Sequence, residues 1–338
     1  MILNAIFTDN MVLQANKTIY IFGEGEGKAN VTFLGKNYSS VVKNGKWEVA
    51  IPAQAYGGPY EMKISLNGEE KFLKNVMVGE VILCAGQSNM QFTIEEEVPT
   101  EPYEYKIYKK LRFFNSDRIE EYVGIKRKDG WVICAEETLK YWTAIGYHVA
   151  KLLHENKGIA VGVIGCYQGA SILESWVDEK IISRPEYYVP EELRSFNKNN
   201  VAYPLYSKWN IYGKLYKETF YKIVPFAVGN VLWYQGESNA TVAESKMYAN
   251  WLKALVDNWR EDLRDENLTF IIFQIADLDD LGDIEEGWCR IQKAQEDAIS
   301  LIPNTKLVIT KDVSETTTIH PADKRKVAER AYKALWGD

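Results

Sequence analysis

The stretch Val78-Gly79-Glu80-Val81-Ile82-Leu83-Cys84-Ala85-Gly86-Gln87-Ser88-Asn89-Met90 joins an apolar run to a glycine and then a serine. An apolar run bounded by a turn residue reads as a strand buried on both faces, as in a parallel sheet covered by helices. Similar runs recur at residues 160–164, 230–234, 270–275 and 306–309, with 111–114 as a further candidate. Amphipathic stripes separate them. Trp142, Ile145, Val149 and Leu152 make one, Tyr248, Leu252, Leu255, Val256, Trp259 and Leu263 a longer one, and Val327, Ala331 and Leu335 the last. This alternation predicts an α/β fold with a doubly wound parallel sheet and a functional site at the carboxyl ends of its strands.

Upstream of residue 76 the pattern has period two. Asn44-Gly45 lies between residues 38–42 and 46–51, where Trp47, Val49 and Ile51 alternate with polar residues, and Asn67-Gly68 follows Tyr60, Met62, Ile64 and Leu66 at the same spacing. Asn-Gly pairs between alternating runs predict hairpins. The expected organisation is a small antiparallel β-sandwich over residues 1–75 and an α/β domain over residues 76–338. Residues 178–222, rich in tyrosine and without periodicity, read as a cover over the sheet's carboxyl edge.

Composition bounds the function. The 338 residues are 46% hydrophobic and 26% charged, which is ordinary globular usage. A net charge of −7, with no Lys/Arg-rich run, argues against nucleic acid and anionic membranes as partners. No apolar run reaches transmembrane length, and residues 1–9 lack the basic and apolar regions of a signal peptide, although a trimmed leader would leave the same sequence. Cys84, Cys134, Cys166 and Cys289 form no C-x-x-C and have apolar or aromatic neighbours, so they read as buried free thiols and the expected location is the cytoplasm. The 13% of aromatic residues suits a core and also a sugar-binding cleft. Oligomeric state is left open.

The chemistry is expected where the strands end. After the 78–85 run, Gly86-Gln87-Ser88 sets a hydroxyl beside backbone amides able to stabilise an anion. Met90 stands where the G-x-S-x-G elbow needs glycine, which excludes that motif. Alone, Ser88 or Asn89 would read as a helix cap. A serine nucleophile needs a base, and the chain has three histidines. His148 beside the stripe of the 142–154 helix, and His154 at its tail, read as structural. His320 precedes Pro321 after a polar loop, which predicts a helix N-terminus whose dipole keeps the imidazole neutral. The loop Gln235-Gly236-Glu237-Ser238-Asn239 brings a carboxylate and amides to the same edge, with Asn239 able to donate to an oxyanion, and Gln168-Gly169-Ala170-Ser171 adds a backbone N–H. Residues 23–28 miss the phosphate-loop spacings, the acidic run 277–286 lacks calcium-loop spacing, and no His/Cys set suits zinc.

Together these residues resemble the SGNH-type sialate O-acetylesterases and related carbohydrate acetylesterases, over nearly the whole chain. Phe7-Thr8-Asp9-Asn10-Met11-Val12-Leu13-Gln14 is similar to the family's opening, and Gly57-Gly58-Pro59-Tyr60 to its β-domain motif. Val78-Gly79-Glu80 leading into Gly86–Met90 is similar to the nucleophile block, Pro225-Phe226-Ala227-Val228-Gly229 leading into Trp233–Asn239 to a further block, and Ile319-His320-Pro321 with Lys324 to the histidine block. The resemblance implies an SGNH (flavodoxin-like) α/β/α fold and a serine esterase that removes O-acetyl groups from sugars. It implies Ser88 as nucleophile, His320 as general base, an oxyanion hole of the Ser88 amide, Gly169 and Asn239, and neither metal nor organic cofactor. Gln87, Gln235 and Glu237 are then expected to contact substrate.

Two positions depart from that pattern. Many SGNH enzymes carry an aspartate three residues before the histidine, where Thr317 stands. Asp312 is the first candidate for the orienting carboxylate and Glu237 its rival, with a plain Ser-His dyad as the remaining option. Gln168-Gly169-Ala170 also lacks the second glycine often found in that loop. Sialate deacetylation is the leading expectation. The alternatives are an acetylxylan or other hemicellulose acetylesterase and, in a different class, a non-catalytic carbohydrate-binding protein on a hydrolase scaffold. A sialate carboxylate would call for a cation, for which Arg290 is the candidate.

Overall fold

The strand Glu69–Gly86 organises the molecule, and it is buried without interruption from Val76 onward. In the computed structural model, which describes residues 1–116, 130–197 and 203–337, this strand serves two regions at once. Its first part pairs antiparallel with Gly57–Leu66 and parallel with Val12–Gln14. From Glu80 on it runs parallel between Val161–Tyr167 and Asn230–Tyr234. The expected boundary at residues 75/76 therefore falls inside one unbroken strand.

Across the sheet the order is Val132–Ile133, Leu111–Asn115, Val161–Tyr167, Glu69–Gly86, Asn230–Tyr234, Thr269–Phe273 and Thr305–Val308. The first pair is antiparallel and the others are parallel, so the strands are mixed. The chain first builds toward one edge and then crosses to the other side of its central strand. Such a reversal opens a crevice at the carboxyl end of that strand. Helix Ala144–Lys157 packs against Arg325–Trp336, and Val242–Asp262 against Glu285–Leu301. Their ends follow capping chemistry: the Thr143 and Thr241 hydroxyls accept from the Gly146 and Glu244 amides, and Gly158 closes the first helix at φ +66. Glu285–Leu301 escaped the sequence reading because Gln292 and Gln295 interrupt its buried face of Trp288, Ile291 and Ala298.

The two Asn-Gly turns behave differently. Asn67-Gly68, with φ of +50 and +81, joins Gly57–Leu66 to Glu69–Gly86 as a hairpin in which Leu66 faces Glu69. Asn44-Gly45 makes a similar turn at φ +53 and +75, but it bridges only Lys43 and Lys46. Its flanks then part company. Lys36–Val41 pairs with Lys28–Phe33, whereas Lys46–Ile51 pairs with Ile19–Glu24 in a three-stranded sheet completed by Ile2–Leu3. The parting lets Trp47, Val49 and Ile51 bury themselves, while Lys36–Val41 has little apolar surface to hide. One apolar cluster runs from Ile6 to Tyr332 and spans both regions. Cys84, Cys134 and Cys166 are buried, but Cys289 lies on the exposed face of its helix, contrary to expectation. No helix among the described residues is long and apolar enough to cross a membrane.

Candidate functional site

Gly86 pairs with Tyr167 on one side and Tyr234 on the other, so three strands end level and their loops open with Gln87, Gln168 and Gln235. Gly86 has φ +128, and a Cβ there would stand 2.1 Å from the Tyr234 carbonyl oxygen. Only glycine lets the strand turn so close to its neighbour. The short helix Ser88–Gln91 follows, in which the Met90 and Gln91 amides both donate to the Gln87 carbonyl. Among the described residues, the Ser88 amide has no acceptor.

Ser88 Oγ lies 2.8 Å from His320 Nε2. His320 comes from the loop after Thr305–Val308, and the following helix begins only at Arg325, so the expected helix N-terminus is not where the imidazole sits. The loop is instead tied down by side chains and backbone. Asn89 Nδ2 donates to the Ile319 carbonyl at 3.0 Å, the Val98 amide to the Ala322 carbonyl at 3.1 Å, and the Lys324 amide to Glu97 Oε1 at 2.9 Å. Burial lowers the His320 pKa, the nearby Lys324 ammonium lowers it further, and Glu96 opposes both. The neutral imidazole thus has a cause other than a helix dipole. His148 is a buried structural partner of Glu97, 2.8 Å away, and His154 Nδ1 lies 2.6 Å from the Ile159 carbonyl oxygen.

Neither candidate carboxylate reaches His320. Asp312 accepts from both terminal nitrogens of Arg330, at 2.6 and 2.7 Å, and this pairing holds its pKa down at about 2 on an exposed surface. Glu237 is buried, with Oε1 accepting from Asn89 Nδ2 at 2.6 Å and Oε2 lacking a partner; burial pushes its pKa up. Asn89 Oδ1 in turn accepts from Lys324 Nζ at 2.7 Å, and that ammonium stands 4.7 Å from the centre of the Phe92 ring. Burial brings Lys324 down to about 7, with Glu237 and Glu97 pulling the other way. Among the described residues, no carboxylate hydrogen-bonds to His320.

The expected oxyanion donors are also partly committed. The Gly169 amide donates to Gln91 Oε1 at 2.9 Å. Asn239 is fully buried behind the cleft, its Nδ2 donating to Glu174 Oε2 at 2.8 Å and its Oδ1 accepting from the Leu173 amide and Gln235 Nε2. The reason is local: in the turn Glu237–Asn239 it is Ser238, not Asn239, that lines the cleft. Gln235 is buried with it, its Nε2 also bonded to the Ser171 carbonyl, so it does not line the cleft either. Gln87 does line it. Its Oε1 receives the Gly236 and Ser238 amides at 3.4 and 3.3 Å, which leaves its NH2 without a protein acceptor among the described residues. Ala170 takes φ +51 where the second glycine is missing.

These loops and the 178–222 segment, of which residues 198–202 lie outside the described ones, enclose a cleft of about 1140 Å³. Gln87, Ser88, Gly169, Glu237 and His320 line it together with Arg194, Phe196, Tyr206 and Trp209. The sequence pointed to the cover but not to its cleft-facing residues, because an irregular segment has no period from which a face can be read. Arg290 is exposed on its helix, bonded to Glu286, and is not part of the lining. No group of His, Cys, Asp and Glu among the described residues is arranged to hold a metal ion.

Residues 78–331 match the model of a family described as carbohydrate esterase, sialic acid-specific acetylesterase. Sialate O-acetylesterases of Homo sapiens and Pongo abelii are similar at 25% and 24% identity, each over 96% of this chain and 68% of the relative. Among solved structures, a carbohydrate acetylesterase from Xanthomonas citri is similar with a TM-score of 0.81 and 25% identity, over 99% of this chain and 75% of that one.

Proposed function

The chain belongs to the sialic acid-specific acetylesterase family of carbohydrate esterases and is a carboxylic ester hydrolase, and from that premise we propose that it removes O-acetyl groups from sugars, sialates first among them, by nucleophilic catalysis at Ser88. The observation that carries this reading is the 2.8 Å approach of His320 Nε2 to Ser88 Oγ on the lining of the large cleft. As the serine oxygen attacks the acetyl carbonyl carbon, His320 takes its proton. The negative charge gathering on the carbonyl oxygen falls to the Ser88 amide and the Gln87 NH2, two donors at the nucleophile turn without protein acceptors among the described residues. Collapse breaks the bond to the sugar oxygen, which receives the proton from His320 and departs. Water, deprotonated by the same imidazole, then releases acetate from Ser88 and restores the hydroxyl.

In this reading Ser88 and His320 work as a dyad. The lowered His320 pKa keeps the base unprotonated at neutral pH, so the rate falls only when the pH drops through that lowered value. The order of strands around Glu69–Gly86 fits an SGNH-type wrapping, with the region before residue 76 as a small β-sandwich. Acetate release from O-acetylated sialic acid and from p-nitrophenyl acetate tests the proposal. Ser88→Ala is expected to lower both rates by roughly 10⁴-fold or more. Undiminished release by Ser88→Ala would overturn it.

A further inference from the structure

A negatively charged protein that takes a negatively charged sugar must offer a local cation, and the net charge here is −7. Among the described residues that line the cleft, Arg194 is the one with a permanent positive charge; the other ionisable side chains are Tyr206, Glu237 and His320. Arg194 is half-buried. Its Nε donates to the Val189 carbonyl at 2.9 Å, and its guanidinium carbon stands 4.6 Å from the centre of the Tyr212 ring. The backbone around it is pinned as well: Asn197 Nδ2 donates to the Arg194 carbonyl at 2.7 Å, and the Ser195 amide and hydroxyl both donate to Glu244 Oε2. Each of these contacts leaves the far edge of the guanidinium unused. Neither terminal nitrogen has a protein acceptor among the described residues.

We propose that Arg194 forms a carboxylate-binding subsite in the cleft, so that the ester hydrolysed at Ser88 is carried by an acidic sugar. The inference rests on the reading of the cleft as a deacetylase and adds the group that selects the substrate. Two parallel N–H donors on a planar cation match the two oxygens of a carboxylate, and the fixed Nε and the stacked ring hold that fork before the ligand arrives. The cleft volume of about 1140 Å³ is large enough for a whole sugar, and Arg194 and Ser88 both line it. A sialic acid and a uronic acid share this chemistry and differ in where the acetyl group sits relative to the carboxylate.

The test compares each acidic substrate with its own methyl ester, which keeps the sugar and removes the charge. O-acetylated N-acetylneuraminic acid and an acetylated glucurono-xylo-oligosaccharide are each assayed in both forms, with wild type, Arg194→Met, Arg194→Lys and Ser88→Ala. Wild type is expected to prefer at least one free acid over its methyl ester by roughly 10- to 100-fold in kcat/KM, and the preferred sugar identifies the source of the carboxylate. Arg194→Met should bring that ratio to about one, with Arg194→Lys between the two. An equal fall on acid and ester, with the ratio intact, would assign Arg194 a structural role and overturn the proposal. So would a wild type that does not distinguish acid from ester. Release that persists in Ser88→Ala would instead bring down the deacetylase reading beneath it.

Discussion

Two buried asparagines stand behind the cleft, and their surroundings carry opposite charge patterns. Asn89 sits between unlike charges, donating to Glu237 and accepting from Lys324. Asn239 sits between like charges, its Nδ2 at 2.8 Å from Glu174 Oε2 and 3.5 Å from Glu244 Oε1. An amide between a carboxylate and an ammonium has both ends satisfied and acts as a fixed joint. An amide NH2 can give one N–H to each of two buried carboxylates but neutralises neither, so burial and their mutual repulsion favour protonation of the pair. Burial first, and then the neighbouring Glu244, push Glu174 well above the ordinary carboxylate range. The difference assigns them separate work. Asn89 ties the nucleophile helix to the backbone beside His320 through the Ile319 carbonyl, whereas the Asn239 cluster is a titratable support under the segment that carries Arg194.

Cutting the Asn89 joint should have the larger effect. Asn89→Ala loses the contacts to Glu237, Ile319 and Lys324 together and unties the histidine loop at the residue before His320. The expected result is a fall in kcat on p-nitrophenyl acetate of roughly 10²-fold, the scale of a small misplacement of a catalytic group, with a much smaller change in KM. Retention of most of the wild-type kcat would show that the joint does not position His320. A gentler cut is Lys324→Met. The ammonium disfavours the protonated imidazole, so its removal raises the His320 pKa, and the acid limb of the kcat/KM profile should move to higher pH. A shift to lower pH, or none, would remove Lys324 from the account of the base.

These joints mark the limit of what the sequence discloses. The parallel strands are legible because each is a run of apolar residues with no polar interruption, and Ser88 and His320 stand out because they follow strand ends. The level ending of Gly86, Tyr167 and Tyr234 is a matter of register, which no single run contains. Asp312 lies close to the last strand in sequence, yet Arg330, one face of a helix away, claims it. Asn239 sits in the motif that suggested an oxyanion donor, and the turn points its amide inward to Glu174. Arg194 lies in a segment without period, where charge can be counted but not aimed.

The Asn239 cluster predicts a pH effect on stability rather than on rate. Glu174 has a folded pKa above its ordinary value of 4.5. The stability it contributes is fully present below about 4.5 and is lost as the pH rises through the raised folded value, because the folded state then holds a proton that the unfolded state has released. Glu174→Gln mimics the protonated side chain at every pH and escapes that loss. Its Tm relative to wild type should therefore improve between pH 5 and pH 9, by several degrees for a difference of a few kcal/mol. A constant Tm difference across that range would mean that the two carboxylates do not share a proton.

The smallest expected effect concerns Ala170, on the cleft-lining loop that follows Val161–Tyr167. Its φ of +51 is a conformation that costs an alanine about 1–2 kcal/mol relative to glycine. The strain is held by its own carbonyl, which accepts from Asn210 Nδ2 at 2.9 Å and Trp209 Nε1 at 3.3 Å. Both bonds survive in Ala170→Gly, since they involve only backbone oxygen. The variant gains the relief of strain and loses about 0.5–1 kcal/mol through the greater freedom of glycine in the unfolded chain. The two terms nearly cancel, so Tm should rise by no more than about 2 °C. A fall of 5 °C or more would mean that the methyl group packs against the cover, and that the loop is fixed by this contact rather than by the hydrogen bonds to Asn210 and Trp209.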